Sequence, residues 1–244
     1  MVDPHPERVV HVLTVQQDDP DVRARLERYR ALLSDDECAR ENRFYFDADK
    51  ERFVIGRALA RLQLSRFLGG DPRSWPLVTN RYGRPELASP VPPPIGFNVS
   101  HTQGLVACAT AATTDIGVDV EFVRRHLTYD IAERFFAPSE VADLRKLSDE
   151  DQARVFFDYW TLKEAYIKAR GMGLALPLAH FAFSLGPPAA PTIRFDPEID
   201  DDETTWQFAQ SWPTDQHRLA VAVRRLPGQD LDVRIEAVVP AVPA

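Results

Sequence analysis

The stretch IGVDVEF, Ile116 to Phe122, most constrains how this chain can fold. It is short, apolar and rich in β-branched residues, so it reads as a strand. Side chains alternate across a strand. Val118, Val120 and Phe122 therefore face one way, and Gly117, Asp119 and Glu121 the other. One face is apolar. The other has a position without a side chain, followed by two carboxylates. Like charges that close raise each other's pKa unless a cation offsets them. A solvated acidic strand face satisfies that constraint. So does a divalent cation on oxygen ligands, for which Mg²⁺ is the usual choice.

A second stretch, FFDYWTLKEAYIKARGMG, has helical periodicity, and Gly171 ends it. Trp160, Glu164 and Lys168 are spaced i, i+4, i+8 and share one stripe. Phe156, Phe157, Tyr159, Leu162, Tyr166 and Ile167 surround that stripe, so the helix is predicted to be largely buried. A Glu–Lys pair there needs partners, because burying charge is costly. One reading is a salt bridge at the helix edge. The other is that Glu164 supplies a third carboxylate to the same cation, with Lys168 facing a phosphate or hydroxyl.

The rest of the chain mixes helices and strands. Arg8 to Val15 reads as a strand, and Val22 to Leu33 as a helix. Ser34 with Glu37 three residues on has the form of a capping box, so another helix starts there. In KERFVIGRALARLQLSRFLGG, Ile55, Leu59 and Leu62 recur at helical spacing and Gly69-Gly70 stops the helix. GFNVSH and LVACATA read as a hairpin. A helix start is read at Ser139, and five strand-like runs fill the tail, with the acidic run Asp200 to Glu203 read as a solvated loop between them. This is an α+β pattern. With 244 residues, 44% of them hydrophobic, the chain can form one large domain or two smaller ones. A net charge of -8 argues against a general nucleic-acid binder. Two cysteines, Cys38 and Cys108, give no disulfide framework, and no run approaches the ~20 apolar residues of a membrane span. The N-terminus does not read as a signal peptide. A cytoplasmic protein is expected.

FNVSH, GVDVE and WTLKEAYIKARGMGL, in that order, resemble the signature of Sfp-type 4′-phosphopantetheinyl transferases of the W/KEA-like subgroup. NRFYFDADKERFVIGRALAR, YGRPEL, RFFAPSE and LPL support the resemblance, which runs from about Ser34 to Phe183. It implies two similar α+β halves in one chain, related by a pseudo-twofold axis, with coenzyme A and Mg²⁺ in the cleft between them. The N-terminal half would span residues 1–113 and carry coenzyme A contacts, and the C-terminal half 114–244 and carry the metal-binding carboxylates. The implied activity is transfer of the phosphopantetheine arm of coenzyme A to a serine of an apo carrier protein, with release of adenosine 3′,5′-bisphosphate.

By the same resemblance, Asp119, Glu121 and Glu164 bind Mg²⁺. Glu164 is also the candidate general base, and Lys168 a contact to phosphate oxygens. His101, with Ser100 beside it, would contact the phosphates, Arg52 the 3′-phosphate and Arg84 the nucleotide. Some relatives place two lysines where this chain has Glu37 and Arg40; Arg40 can still serve a phosphate, and Glu37 cannot. The implied partner is an apo acyl or peptidyl carrier protein, with no nucleic acid or membrane, and the chain is expected to be a monomer. Carrier proteins are usually acidic helical bundles, so their docking surface should be locally apolar or basic, with Arg124 and Arg125 as candidates. A serine hydrolase using Ser100 or Ser139 is the competing enzyme class. No G-x-S-x-G elbow is present, and adjacency does not make His101 the base of Ser100.

Overall fold

The chain divides into two units, Met1–Thr114 with Asp232–Ala244, and Asp115–Leu231. Each is built around one long helix laid on antiparallel strands, and the α+β reading holds. The computed structural model describes residues 8–88, 95–123, 129–186, 190–226 and 228–243. Arg124 and Arg125 lie outside the described residues. Among those described, no helix is long and apolar enough to cross a membrane.

The first unit opens with β1 (Val9–Gln16) and continues through α1 (Pro20–Arg23), α2 (Leu26–Arg30), α3 (Asp35–Glu41) and α4 (Asp47–Leu68). After α4 come the short strands β2 (Leu77–Thr79) and β3 (Pro85–Leu87), then the hairpin β4 (Gly96–Thr102) and β5 (Leu105–Ala111). α4 packs on β4 and β5 and encloses Tyr29, Ile55, Leu59, Leu64 and Val106. The capping box is present, with Ser34 Oγ accepting from Glu37 N–H and the Glu37 carboxylate accepting from Ser34 N–H. The same carboxylate accepts from Nε and Nη2 of the buried Arg61, at 3.1 and 2.7 Å. Glu37 is therefore a buried structural acid.

The helix expected over Val22 to Leu33 is two short ones. Asp19 caps the first, with Pro20 in its opening turn, and α2 restarts after Arg25. The break serves tertiary contacts: Tyr29 Oη donates to the Pro240 carbonyl at 2.9 Å, and Arg25 reaches the carbonyls of Val239 and Pro240. The residues receiving those bonds follow the last strand, β11 (Asp232–Ala237), which pairs in parallel with β1. The sheet order is β11-β1-β5-β4. Asp232–Ala244, expected in the C-terminal half, thus belongs to the first unit. A strand periodicity cannot say which strand it will pair with.

The second unit contains β6 (Ile116–Phe122), α5 (Tyr129–Phe135), α6 (Pro138–Leu144) and α7 (Asp149–Ala169). β7 (Phe181–Ser184), β8 (Thr192–Phe195), β9 (Trp206–Thr214) and β10 (His217–Arg224) follow, with sheet order β6-β10-β9. α6 starts at Pro138, one residue before the predicted Ser139, because Pro suits the first turn and Glu140 reaches back to the Ala137 N–H at 2.9 Å. α7 lies across β6 and β10, and its apolar side meets Phe181, Trp206 and Phe208.

The contact between β6 and α7 is unusually close at one point. A Cβ placed on Gly117 would stand 2.0 Å from the Ala165 carbonyl oxygen and 2.5 Å from the Ala169 nitrogen. Both are helix backbone, which cannot swing away as a side chain can. Gly117→Ala is therefore expected to push β6 and α7 apart and to destabilise the protein by about 3 kcal/mol. A fall in the urea midpoint with an unchanged slope checks this; an unchanged midpoint contradicts it.

Candidate active site

Because Gly117 faces α7, so do Asp119 and Glu121, two and four residues on. Asp119 is 3% exposed and Glu121 half-buried, so the acidic face of the strand is not a solvated one. The helical stripe runs antiparallel to it. Lys168 Nζ donates to Asp119 Oδ1 at 2.5 Å, and Trp160 Nε1 donates to Glu121 Oε1 at 3.3 Å. Glu164 lies between Trp160 and Lys168 on the same stripe and interacts electrostatically with Asp119 and Glu121. Asp119 and Glu121 are about 6.6 Å apart along the strand and Lys168 and Trp160 about 12 Å apart along the helix, so the two long side chains converge on the carboxylates from either end of the stripe.

Three carboxylates thus meet one ammonium. Burial pushes Glu121 up to about 7, and the Asp119 charge adds to the shift, while Lys168 opposes it. Burial also raises Glu164, again with help from Asp119 and against Lys168. Burial alone would lower the pKa of Lys168, but Asp119, Glu164 and Glu121 outweigh it and hold the ammonium charged. As the side chains stand, no group of three or more His, Cys, Asp or Glu among the described residues forms a metal-binding arrangement. The donor chemistry nevertheless fits Mg²⁺: all the acids are oxygen donors, and a cation would offset both the burial and the Asp119 charge that raise Glu121 and Glu164.

Two further charged contacts fix α7 in place. Lys163, fully buried, has Nζ 2.8 Å from Glu140 Oε2 and donates to the carbonyls of Leu178 and Phe181 at 2.8 and 2.6 Å. All three ammonium protons are used. Past the C-terminal end of α7, Asp201 Oδ2 accepts from Tyr166 Oη at 2.8 Å, from Trp206 Nε1 at 3.0 Å and from Arg170 Nη1. Its Oδ1 takes Arg224 Nη2 at 3.1 Å. Tyr166 and Arg170 flank Lys168 in sequence, so Asp201 locks the turn that carries it. The sequence read Asp200 to Glu203 as a solvated loop. Only the third dimension brings that loop to α7.

The first unit holds the remaining candidates. Arg52, near the start of α4, pairs with Asp49 and donates to Gln17 Oε1 at 3.0 Å. Gln17 also bonds Ala48 O and Glu51, and its own N–H reaches Gly104 O in the β4–β5 turn. His101, on β4 three residues before Gly104, therefore shares one end of the hairpin with Arg52. Arg84 is at the other end, donating to the carbonyls of Phe97 and Thr114 at 3.4 and 2.9 Å. About 13 Å of strand separates Phe97 from His101. Ser100 is buried and His101 exposed, on opposite faces of β4. His101 is therefore not placed to serve Ser100 as a base. Arg40, exposed on α3, borders a cavity of about 400 Å³ with Arg43 and Phe44. Its guanidinium and that of Arg57 lie over the Phe53 ring, at 5.8 and 5.1 Å.

Comparisons with known proteins cover both units. A family model described as the 4′-phosphopantetheinyl transferase superfamily matches residues 115–222, and one described as 4′-phosphopantetheinyl transferase, N-terminal, matches 20–113. The 4′-phosphopantetheinyl transferase HetI of Nostoc sp. is 37% identical over 224 residues, 88% of this chain and 87% of its own length. The 4′-phosphopantetheinyl transferase Sfp of Bacillus subtilis is 34% identical over 65% of this chain and 69% of its own. A phosphopantetheinyl transferase of Thraustochytrium sp. is 30% identical over 82% and 72%.

Asp201 generates a pH-dependent expectation. Burial alone would raise its pKa, but the hydrogen bonds from Tyr166 and Asp202 N–H and the charges of Arg170 and Arg224 bring it below the ordinary 3.8. A depressed carboxylate contributes stability above its unfolded value and loses it as pH falls through its folded one. Asp201→Asn should therefore lower the melting temperature at pH 7, and the gap to wild type should close as pH falls below the ordinary carboxylate value. Melting curves across that range check this; a gap independent of pH contradicts it.

Proposed function

Because the chain belongs to the 4′-phosphopantetheinyl transferase superfamily, we propose that it moves the phosphopantetheine arm of coenzyme A to a serine hydroxyl of an apo acyl or peptidyl carrier protein. The observation that carries this reading is the row of Asp119, Glu121, Glu164 and Lys168 along the β6–α7 seam. The serine oxygen attacks the phosphorus that bears the pantetheine arm. The bond from that phosphorus to the bridging oxygen breaks, and adenosine 3′,5′-bisphosphate leaves.

Glu164 is the base proposed for the serine proton, directly or through one water. Its raised pKa makes it a better base than an ordinary carboxylate. Lys168 keeps its charge and presents it to the phosphate oxygens, where negative charge grows in the transition state. Trp160 holds Glu121 by one oxygen, which orients the other. Asp119, Glu121 and Glu164 would hold Mg²⁺, which when bound screens the pyrophosphate and stabilises the leaving phosphate. In the first unit, Arg52 and His101 are the proposed phosphate contacts, Ser100 lies next to them in the chain, Arg40 meets the 3′-phosphate and Arg84 the nucleotide. Arg suits this task through its bidentate geometry. We read the protein as a cytoplasmic monomer: its two cysteines are free, and the family form with both halves in one chain suggests a monomer.

Three measurements test the proposal. Incubating the protein with coenzyme A, Mg²⁺ and a panel of apo carrier proteins should add one phosphopantetheine mass to a carrier; no transfer to any carrier would sink it. Glu164→Gln should fold normally and lose about 10²–10⁴-fold in rate. A near-normal rate would remove Glu164 from both its roles. His101→Ala should weaken coenzyme A binding, and an unchanged affinity would make His101 structural.

A further inference from the structure

The segment Phe44-Tyr45-Phe46 joins α3 to α4 and is not used by the chemistry above. Tyr45 is 88% and Phe46 63% exposed, and their rings meet edge to face at 4.9 Å. Phe44 turns inward against Phe53 and lines the cavity of about 400 Å³ with Arg40 and Arg43. The local charge is unusual for a chain of net charge -8. The carboxylates that follow, Asp47 and Asp49, are paired with Lys50 and Arg52. Glu37 is committed to Arg61 and Arg57. Among the described residues, neither Arg40 nor Arg43 has a carboxylate within ion-pair distance. Exposed aromatic rings, Arg43 without a carboxylate partner among the described residues and a cavity of about 400 Å³ therefore coincide at one loop. Tyr, Phe and Arg are the residue types enriched at protein interfaces.

We propose that Arg43, Tyr45 and Phe46 form a docking surface for an acidic helix of the acceptor protein. The inference rests on the carrier-protein reading above and adds a place where the carrier is held. Tyr45 and Phe46 cover an apolar side chain of that helix, and Arg43 meets its carboxylates. The complementarity is electrostatic as well as apolar: a net charge of -8 opposes an acidic partner, and Arg43 attracts it here.

The test uses the full-length protein and a recombinant acidic apo carrier protein labelled with a fluorophore. Anisotropy reads binding without coenzyme A, and steady-state transfer reads the Michaelis constants for both substrates. The Tyr45→Ala/Phe46→Ala pair and Arg43→Glu should each weaken carrier binding, and raise its Michaelis constant, by about tenfold or more. The constant for coenzyme A and the melting temperature should stay at wild-type values. Wild-type binding should weaken with added salt, and Arg43→Glu should lose part of that dependence. Carrier binding unchanged in both variants overturns the docking surface, even if transfer proceeds. A parallel rise in the coenzyme A constant also overturns it, since the loop would then serve the donor. Binding that is lost in the variants while wild type transfers nothing upholds docking and sinks the transferase reading. Variants that lose only adhesion to anionic phospholipid vesicles would make the loop a membrane contact and overturn the proposal.

Discussion

Everything at the β6–α7 seam depends on the absence of one side chain. With no Cβ at Gly117, the backbone of α7 comes close enough to β6 for Trp160 to reach Glu121 and for Lys168 to reach Asp119. A helix one methyl group farther out would leave Asp119 without its ammonium. That carboxylate is 3% exposed, and an isolated charge there is expensive. Lys168 and Trp160, about 12 Å apart along the helix, then reach in from either end of the stripe to carboxylates about 6.6 Å apart on the strand. Close approach and charge compensation are thus one constraint.

That constraint would still fail if α7 could rotate or slide. Lys163 prevents rotation by using all its donors on Glu140 and two carbonyls. Asp201 fixes the far end by collecting Tyr166, Arg170, Trp206 and Arg224. Buried ion pairs add little net stability against an apolar alternative, but removing one partner costs about 3–5 kcal/mol. Their effect here is specificity: only one setting of the helix satisfies both ends. Lys163 and Glu164 are neighbours in sequence with different partners: Lys163 meets Glu140, and Glu164 the cluster of Asp119, Glu121 and Lys168.

The parts of this arrangement that were legible in the sequence are those set by local periodicity. The period of two in IGVDVEF sorted its faces, the i, i+4, i+8 spacing placed Trp160, Glu164 and Lys168 on one stripe, and Ser34 with Glu37 marked a helix start. That the strand and the helix belong together came only from the ordered set of motifs, because periodicity says which face is buried and not against what. For the same reason β11 was assigned to the wrong unit, Asp201 was read as a solvated residue, and Arg61 gave no sign that it would neutralise Glu37. The break between α1 and α2 was hidden too, since the C-terminal carbonyls that require it are more than two hundred residues away.

Pairing, more than composition, decides which charges remain for function. The chain is acidic overall, yet its first unit buries Glu37 against Arg61 and pairs Asp47 and Asp49 with Lys50 and Arg52, which among the described residues leaves Arg40 and Arg43 without a carboxylate partner. Its second unit does the reverse at the seam, where three carboxylates share Lys168. In the proposed reaction, coenzyme A as donor would ask for both. Its 3′-phosphate and pyrophosphate are anions that guanidinium groups bind directly, while cleavage of the pyrophosphate calls for a cation held by oxygen ligands. A uniformly basic protein would satisfy the first need and lack the carboxylates for the second. A net charge of -8 is therefore compatible with a polyanionic substrate, provided that the buried pairs are drawn unequally from the two units.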